Sequence, residues 1–116
     1  MDTIWCLEDS DDSEMVDGIV PMETETIIQK KRFSCFYKTG LSDLLQRSSI
    51  SALFFAGYAA DVCVRFSTMD AYNEGYPIYW LSDCLESAFE PYDQSLRYII
   101  LLSDFCVVRA NHEACA

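Results

Sequence analysis

The chain has 116 residues, a formal net charge of −11 and no apolar stretch long enough to span a membrane, so we expect one globular domain that does not bind membranes. Its eight Lys and Arg residues are too few and too scattered to form the basic face that nucleic-acid binding requires. The chain begins with acidic residues, whereas a secretory signal begins basic and continues apolar, and this favours a cytoplasmic protein.

The acidic residues are concentrated at the start of the chain. Nine of the nineteen lie in the first 25 positions, before the first basic residue, Lys30. We interpret residues 1–17 as an acidic loop or disordered leader and residues 18–116 as the folded domain. A specific docking function for the acidic segment is the alternative, although a solvated surface is the commoner use of such a charge run.

The six cysteines are interpreted as reduced thiols, because they form no CxxC pair and no export signal accompanies them. A zinc site usually shows paired Cys or His ligands at short spacing, whereas the single histidine, His112, lies near the end of the chain with only Cys115 at such a spacing. We therefore expect neither a bound metal ion nor another cofactor.

Short apolar runs alternate with amphipathic segments from residue 26 onward, which predicts alternating strands and helices. The predicted strands are Thr26–Gln29, Ala52–Ala56, Pro77–Leu81 (closed by Ser82 and Asp83) and Phe105–Val108, and the predicted helices are Gly40–Arg47, Asp61–Glu74 and Tyr92–Ser103. Val62, Phe66 and Met69 predict the apolar stripe of the second helix, and Gly75 its C-terminal cap. Strands joined through helices lie parallel, so we predict an α/β fold with three α/β/α layers and a mostly parallel sheet.

Cys63 lies in the strongest local pattern, Gly57–Val64, which runs from a buried strand through small residues into a helix. A helix N-terminus and a nearby cation favour the thiolate form, so this position makes Cys63 the most nucleophilic of the six cysteines. The alternative is a small buried cysteine that fills space between helix and sheet, and composition alone favours that alternative.

Two separate motifs resemble those of the isochorismatase-like cysteine hydrolases. The first surrounds the nucleophile and consists of Gly57–Val64 with Thr68, Asp70, Ala71, Gly75, Tyr76 and, after the following strand, Asp83. The second is similar to the lysine motif of that family and consists of Ile28–Phe36 with Thr39 and Leu41. The resemblance covers residues 18–110 and implies an isochorismatase-like, Rossmann-like domain.

The resemblance implies a role for several matching residues. Cys63 corresponds to the nucleophile and Lys30 to the active-site lysine, which helps to stabilise the thiolate. The backbone amides of Ala59 and Cys63 correspond to the oxyanion hole, and the cis peptide bond of the family falls between Tyr58 and Ala59. Phe36 and Tyr58 correspond to walls of the substrate pocket, although either aromatic side chain also suits an ordinary core.

The register of the lysine motif leaves alternatives open. Lys31 takes the place of Lys30 if the register is shifted by one residue. A solvated Lys-Lys-Arg cluster at the end of a strand is the other interpretation of residues 30–32.

The sequence departs from the family at its front. The catalytic aspartate of the family ends the first strand, in an apolar run followed by Asp-x-Gln, and no such run precedes Lys30. Ile4–Leu7, before Glu8 and Asp9, is too close to Lys30 to leave room for the intervening helix and strand. We therefore expect the first strands of the domain to be missing, and an open sheet edge that favours a homo-oligomer.

Three hypotheses follow. The first is a cysteine hydrolase that cleaves the C–N bond of a small-molecule amide through a thioester at Cys63, with this chain as an inactive part of it. The second is a shortened, catalytically silent relative that acts as a binding or interaction module. The third is an unrelated flavodoxin-like module, which would need a phosphate-binding loop that the four glycines do not form.

Overall fold

A computed structural model of the chain describes residues 8–91, 93–94 and 106–110. In chain order these residues form a 3₁₀ turn, Asp11–Ser13, followed by α1 (Leu41–Arg47), β1 (Leu53–Tyr58), α2 (Cys63–Asn73), β2 (Ile78–Glu86) and β3 (Cys106–Val108), and residues 93 and 94 are also helical. Apart from positions 93 and 94, the predicted helix Tyr92–Ser103 lies outside the described residues. No helix within the described residues has the length and apolar character that crossing a membrane requires.

The three strands form a parallel sheet in the order β1-β2-β3. Leu53 of β1 lies opposite Ile78 of β2, and Trp80 of β2 lies opposite Val107 of β3. Helix α2 connects β1 to β2 and packs against both strands, as a crossover between parallel strands requires. The prediction of an α/β fold with a parallel sheet is confirmed.

The core lies between α2 and one face of the sheet. Trp80 of β2 and Thr68 of α2 are both completely buried, and the Trp80 indole nitrogen Nε1 donates a hydrogen bond of 2.9 Å to Oγ1 of Thr68. The buried apolar side chains around this pair are Ala60, Val64, Ala71, Ile78 and Val107. This hydrogen bond therefore joins the helix to the sheet at a point that water does not reach.

The buried face of α2 differs from the predicted stripe. Phe66, in the middle of that stripe, is exposed and packs against Phe33 with 5.5 Å between ring centroids, whereas Ser67 and Thr68 are buried. Both hydroxyl groups have partners, since the Cys35 amide donates to Ser67 Oγ over 2.9 Å. Polar groups can be buried at little cost when they are hydrogen-bonded, and this allows a partly polar face to point inward.

The predicted strand Thr26–Gln29 is wrong. Residues 26–30 have no regular secondary structure, and the side chain of Ile27 is exposed. Among the described residues, no strand pairs with this segment. A strand is stabilised by its neighbours in the ladder, and four residues without a neighbour do not compensate for the entropy lost on ordering the backbone.

Strand β2 is longer than predicted and continues to Glu86, so Ser82 and Asp83 lie inside it instead of closing it. Both polar side chains bind the backbone at the end of the neighbouring strand. The Ser82 hydroxyl donates to the Val108 carbonyl over 3.1 Å, and the Asp83 carboxylate accepts a hydrogen bond of 2.8 Å from the Ala110 amide. Ser and Asp are common turn residues, so the local sequence predicts the end of a strand here. The hydrogen-bond partners that keep the pair inside the strand are 26 and 27 residues away, and the local pattern does not show them.

The other boundaries lie close to the predictions. Helix α1 falls within the predicted Gly40–Arg47, β1 begins one residue late and ends two late, and β3 falls within the predicted Phe105–Val108. Helix α2 begins at Cys63, two residues after the predicted start. Gly75 has a φ of +92° directly beyond its C-terminal end, which confirms the predicted glycine cap.

Replacing Thr68 with Val keeps the shape of the side chain but leaves the buried indole N–H of Trp80 without an acceptor. We expect the free energy of unfolding, measured by urea denaturation, to fall by about 1–3 kcal/mol. Ser42→Ala is the matched control, because it removes an exposed hydrogen bond of 2.6 Å to Glu74 and should change stability by less than about 0.5 kcal/mol. Equal losses in the two variants would contradict the structural importance of the Trp80–Thr68 pair.

Candidate active site

Cys63 is the first residue of α2 and lies near the carboxyl end of β1. Strand β1 ends at Tyr58, a cis peptide bond joins Tyr58 to Ala59, and the helix begins four residues later. The cis bond confirms the prediction made for this position. The thiol of Cys63 is half-buried and is not part of a disulfide. This location, outside the carboxyl end of a parallel strand, is the one at which α/β sheets bind ligands.

The backbone amides around Cys63 differ in whether they have acceptors. The Ala60 amide donates to a carbonyl of β2 over 2.8 Å, and the amides of Val62 and Val64 donate to the Ala59 carbonyl over 3.1 and 3.0 Å. By contrast, the amides of Ala59 and Cys63 have no acceptor among the described residues. Two free amides on one short turn are the kind of donors that an oxyanion hole requires, and the assignment of that role stays a prediction.

Asp61 holds the segment after β2 against this turn. Its buried carboxylate accepts hydrogen bonds from the backbone amides of Ala88, Phe89 and Glu90 over 2.8, 2.7 and 3.0 Å. Burial acts to raise the pKa of Asp61, but the hydrogen bonds from these amides outweigh burial and lower the pKa from 3.8 to about 2. An ionised carboxylate that is occupied by three amides is poorly suited to accept a proton from the Cys63 thiol.

A second link joins the same two parts of the chain. Arg65, in the first turn of α2, forms an ion pair with Glu90, and both side chains are largely buried. Asp61 and Arg65 stand two residues before and two residues after Cys63 in the sequence. Asp61 lies within the nucleophile motif of the sequence, but neither its role as an acceptor for the amides of residues 88–90 nor the Arg65–Glu90 pair was predicted. The two partners are 25 residues apart, and no local pattern connects them.

The segment that carries Phe36 is docked on α2 farther along the helix. The Ser34 hydroxyl donates to the Asp70 carboxylate over 2.5 Å, and the Cys35 amide donates to Ser67 Oγ over 2.9 Å. The Phe36 amide donates to Ser34 Oγ over 3.2 Å, and its ring packs against the core cluster. These contacts begin one helical turn beyond the start of α2. They hold the segment of Phe36 against the helix that carries the thiol.

Lys30 does not contact the thiol in this structure. Its side chain is exposed, and its ammonium group donates to the Arg32 carbonyl over 3.0 Å. Within the described part of the chain, neither a lysine nor a carboxylate is hydrogen-bonded to Cys63 Sγ. Lys31, the alternative in the lysine motif, forms an exposed ion pair of 3.5 Å with Glu8.

The remaining predicted site residue, Tyr58, is 69% exposed at the end of β1. The structure thus brings Tyr58, Ala59 and Cys63 together on one turn, whereas Lys30 points elsewhere. An open groove of about 720 Å³ is lined by residues between positions 15 and 28 and by none of the residues of this turn. In residues 8–91, 93–94 and 106–110, no three Cys, His, Asp or Glu side chains are grouped as metal ligands.

Replacing Asp61 with Asn should reduce the free energy of unfolding at about pH 7 by about 1–3 kcal/mol, because a neutral amide is a weaker acceptor for the three backbone N–H groups. The pKa of Asp61 is lower in the folded chain than its ordinary value of 3.8. The contribution of the charge is therefore present above about pH 4 and is lost as the pH falls toward about 2.

Urea denaturation at about pH 7, 4 and 2 measures this dependence, and the difference between the native chain and Asp61→Asn should shrink as the pH falls. Asp43→Asn, at an exposed position of α1, should have little effect at any pH. A stability difference for Asp61→Asn that stays constant over this range would show that the charge is not the stabilising feature.

Comparison with known proteins gives a consistent assignment. The isochorismatase domain matches residues 2–110 of this chain. The ureidoacrylate amidohydrolase RutB of Methylorubrum extorquens is 34% identical over 80 residues, which are 69% of this chain and 32% of that protein.

Solved structures agree with this match. The alignment with the structure of N-carbamoylsarcosine amidase from Thermoplasma acidophilum has a TM-score of 0.88 and a sequence identity of 26%. It covers 95% of this chain and 62% of the amidase chain. The alignment with an isochorismatase-like hydrolase from Alkaliphilus metalliredigens has a TM-score of 0.82 and a sequence identity of 28%. It covers 89% of this chain and 57% of the hydrolase chain. The chain spans about a third of the length of the ureidoacrylate amidohydrolase and less than two thirds of either solved structure. The chain belongs to the isochorismatase family.

Proposed function

We propose that this chain supplies the nucleophile of a cysteine hydrolase that cleaves the C–N bond of a small, non-peptide amide. The observation that carries the proposal is the placement of Cys63 at the start of α2, with the amides of Ala59 and Cys63 free of acceptors in the described part of the chain. The similarity to a ureidoacrylate amidohydrolase and an N-carbamoylsarcosine amidase supports an amide as the substrate class.

In the proposed reaction the Cys63 thiol loses its proton and its sulfur attacks the amide carbon of the substrate. The carbonyl oxygen becomes an oxyanion, which the N–H groups of Ala59 and Cys63 stabilise, each donor contributing about 3–4 kcal/mol to lowering the barrier. The C–N bond breaks, and the nitrogen takes up a proton and leaves as ammonia or an amine. Water then hydrolyses the thioester, which releases the acid and restores the thiol.

Lys30 is proposed as the cation that stabilises the thiolate. Its side chain is exposed and carries a flexible four-carbon stem, so rotation about its side-chain bonds can redirect the ammonium group from the Arg32 carbonyl. This role requires the lysine to approach Cys63 in the substrate-bound state. Phe36 and Tyr58 are proposed as walls of the substrate pocket, since one packs on α2 and the other ends β1.

We further propose that the 116-residue chain by itself does not turn over amides. Asp61 is occupied by three backbone amides, and none of the described carboxylates is hydrogen-bonded to the Cys63 thiol. The same observation favours a second candidate function, that of a catalytically silent relative which keeps the fold as a binding or interaction module. The two candidates differ in the reactivity that they require of Cys63.

Under the hydrolase proposal, Cys63 should be the first thiol alkylated when the folded chain is treated briefly with iodoacetamide at about pH 7, because it occupies the nucleophile position at the start of α2. Cys84 is a useful comparison, since it is exposed but desolvation and the neighbouring Asp83 raise the pKa of its thiol. Peptide mapping identifies the order of labelling. Earlier labelling of Cys35, Cys84 or Cys106 would contradict the nucleophile assignment and favour the silent relative.

An assay of the purified chain with ureidoacrylate, N-carbamoylsarcosine and nicotinamide should give no turnover above that of Cys63→Ala. Loss of a general base typically costs about 10²- to 10⁴-fold in rate, and the displaced Lys30 adds to that loss. Turnover that disappears in Cys63→Ala would show that a residue of this chain accepts the thiol proton. Glu8 and Asp9 would be the first residues to replace in that case, and the proposal of an inactive chain would be wrong.

A further inference from the structure

One face of α2 begins with the candidate nucleophile. Residues 63, 66, 67 and 70 follow one another at the i, i+3, i+4 and i+7 spacing that places side chains on a single side of a helix. We call these four residues the Cys63 face. The helix is regular from its start, since the Phe66 amide donates to the Val62 carbonyl over 2.9 Å. Cys63 is therefore a direct neighbour of Phe66 and Ser67, at about 5–6 Å between Cβ atoms.

Residues 33–35 run along the Cys63 face and contact its other three members. The contacts are those of the Phe33 ring with Phe66 at 5.5 Å between ring centroids, of the Cys35 amide with Ser67 Oγ, and of the Ser34 hydroxyl with the Asp70 carboxylate. Side chains on a helix lean toward its N-terminus, so the Phe66 ring leans over the turn that carries Cys63. The Phe33–Phe66 pair thus lies beside the first turn of α2, on the side of the Cys63 side chain.

This aromatic pair is the part of the Cys63 face that solvent reaches most. Phe33 and Phe66 remain 55% and 51% exposed although their rings are in contact, whereas Ser67 is buried. The half-buried Cys63 side chain lies between the exposed Phe66 and the buried Ser67, as their helical spacing requires. Covering aromatic rings is favourable, so a half-exposed pair next to a thiol offers a surface to an apolar group of a ligand.

We propose that the Phe33–Phe66 pair is a specificity-determining surface of the Cys63 site, which contacts a planar or apolar group of the substrate next to the scissile amide. This inference rests on the proposed function of Cys63. It deepens that function by naming a substrate feature that the site selects. The two rings bind the substrate and take no part in proton transfer or in the attack by sulfur.

The test compares two alkylating reagents with the same reactive group, iodoacetamide and N-benzyl iodoacetamide, on the intact chain. The rate constant for labelling of Cys63 is measured for each reagent by peptide mapping, and the readout is the rate constant of the benzyl reagent divided by that of iodoacetamide. Phe33→Ala and Phe66→Ala should each lower this ratio by about two- to tenfold, which is the range that one aromatic contact supplies.

The direction of the change distinguishes a contact from a steric obstacle. If the rings only shield the thiol, their removal opens access, and the bulkier reagent gains more than the smaller one, so the ratio rises. If the rings bind the benzyl group, their removal lowers the ratio. Phe66→Ala should keep the helix, because Ala is the best helix former and the ring that it removes is half exposed.

Phe54→Ala is the matched control. Phe54 is also exposed and stacks on another ring, that of Tyr79, at 4.8 Å between centroids. It stands near the amino end of β1, however, whereas Cys63 lies beyond the carboxyl end of that strand, so the control should keep the native ratio. If circular dichroism shows that an alanine variant is unfolded, Leu replaces Ala at that position, and a decrease is again expected because Leu has no aromatic face.

A native or raised ratio in a folded variant at position 33 or 66, or an equal decrease in Phe54→Ala, would overturn the role of the aromatic pair. The ratio can be measured at Cys63 whether or not Cys63 is the fastest thiol. Failure of the nucleophile assignment is therefore seen in the order of labelling, and failure of this inference is seen in the ratio.

Discussion

The carboxylate of Asp61 holds together the end of the sheet at which the candidate nucleophile lies. A charged group that is taken out of water is tolerated only when other groups replace its hydration, and here three consecutive backbone amides do so. Those amides belong to the segment after β2, whereas Asp61 belongs to the turn after β1. One side chain therefore joins the ends of two neighbouring strands and orders the first turn of α2 against both.

The rest of the domain is organised around α2 by hydrogen bonds that are shielded from water. Thr68 binds the indole of Trp80 in the centre of the sheet, and Ser67 accepts the amide of Cys35. Asp70, one turn from Ser67, accepts the Ser34 hydroxyl. Because each partner would be left unsatisfied if the helix rotated or shifted, this polar face determines the orientation of α2 more sharply than apolar packing alone would.

The two halves of the proposed catalytic machinery are held with very different precision. Cys63 and the amides beside it belong to a turn in which Asp61 binds the segment after β2 and Ala60 is completely buried in the core. Lys30 belongs to a segment without regular structure, and the hydrogen bond that its ammonium donates is to a neighbouring carbonyl. The edge of β1 opposite β2 has no strand partner among the described residues, so no ladder of backbone hydrogen bonds fixes the lysine segment.

By itself the sequence determined the features that depend on neighbours along the chain: the α/β class, the order of the elements, the place of Cys63 in the first turn of a helix and the glycine cap at Gly75. Periodicity and small-residue turns encode these features because their cause is local. Only the tertiary structure decided which face of α2 is buried, why Ser82 and Asp83 belong to a strand, and why Thr26–Gln29 does not form one. The same holds for Asp61, whose three partners lie 27 to 29 residues away. In each of these cases the free energy depends on whether a distant group satisfies a hydrogen bond, and no local pattern records that.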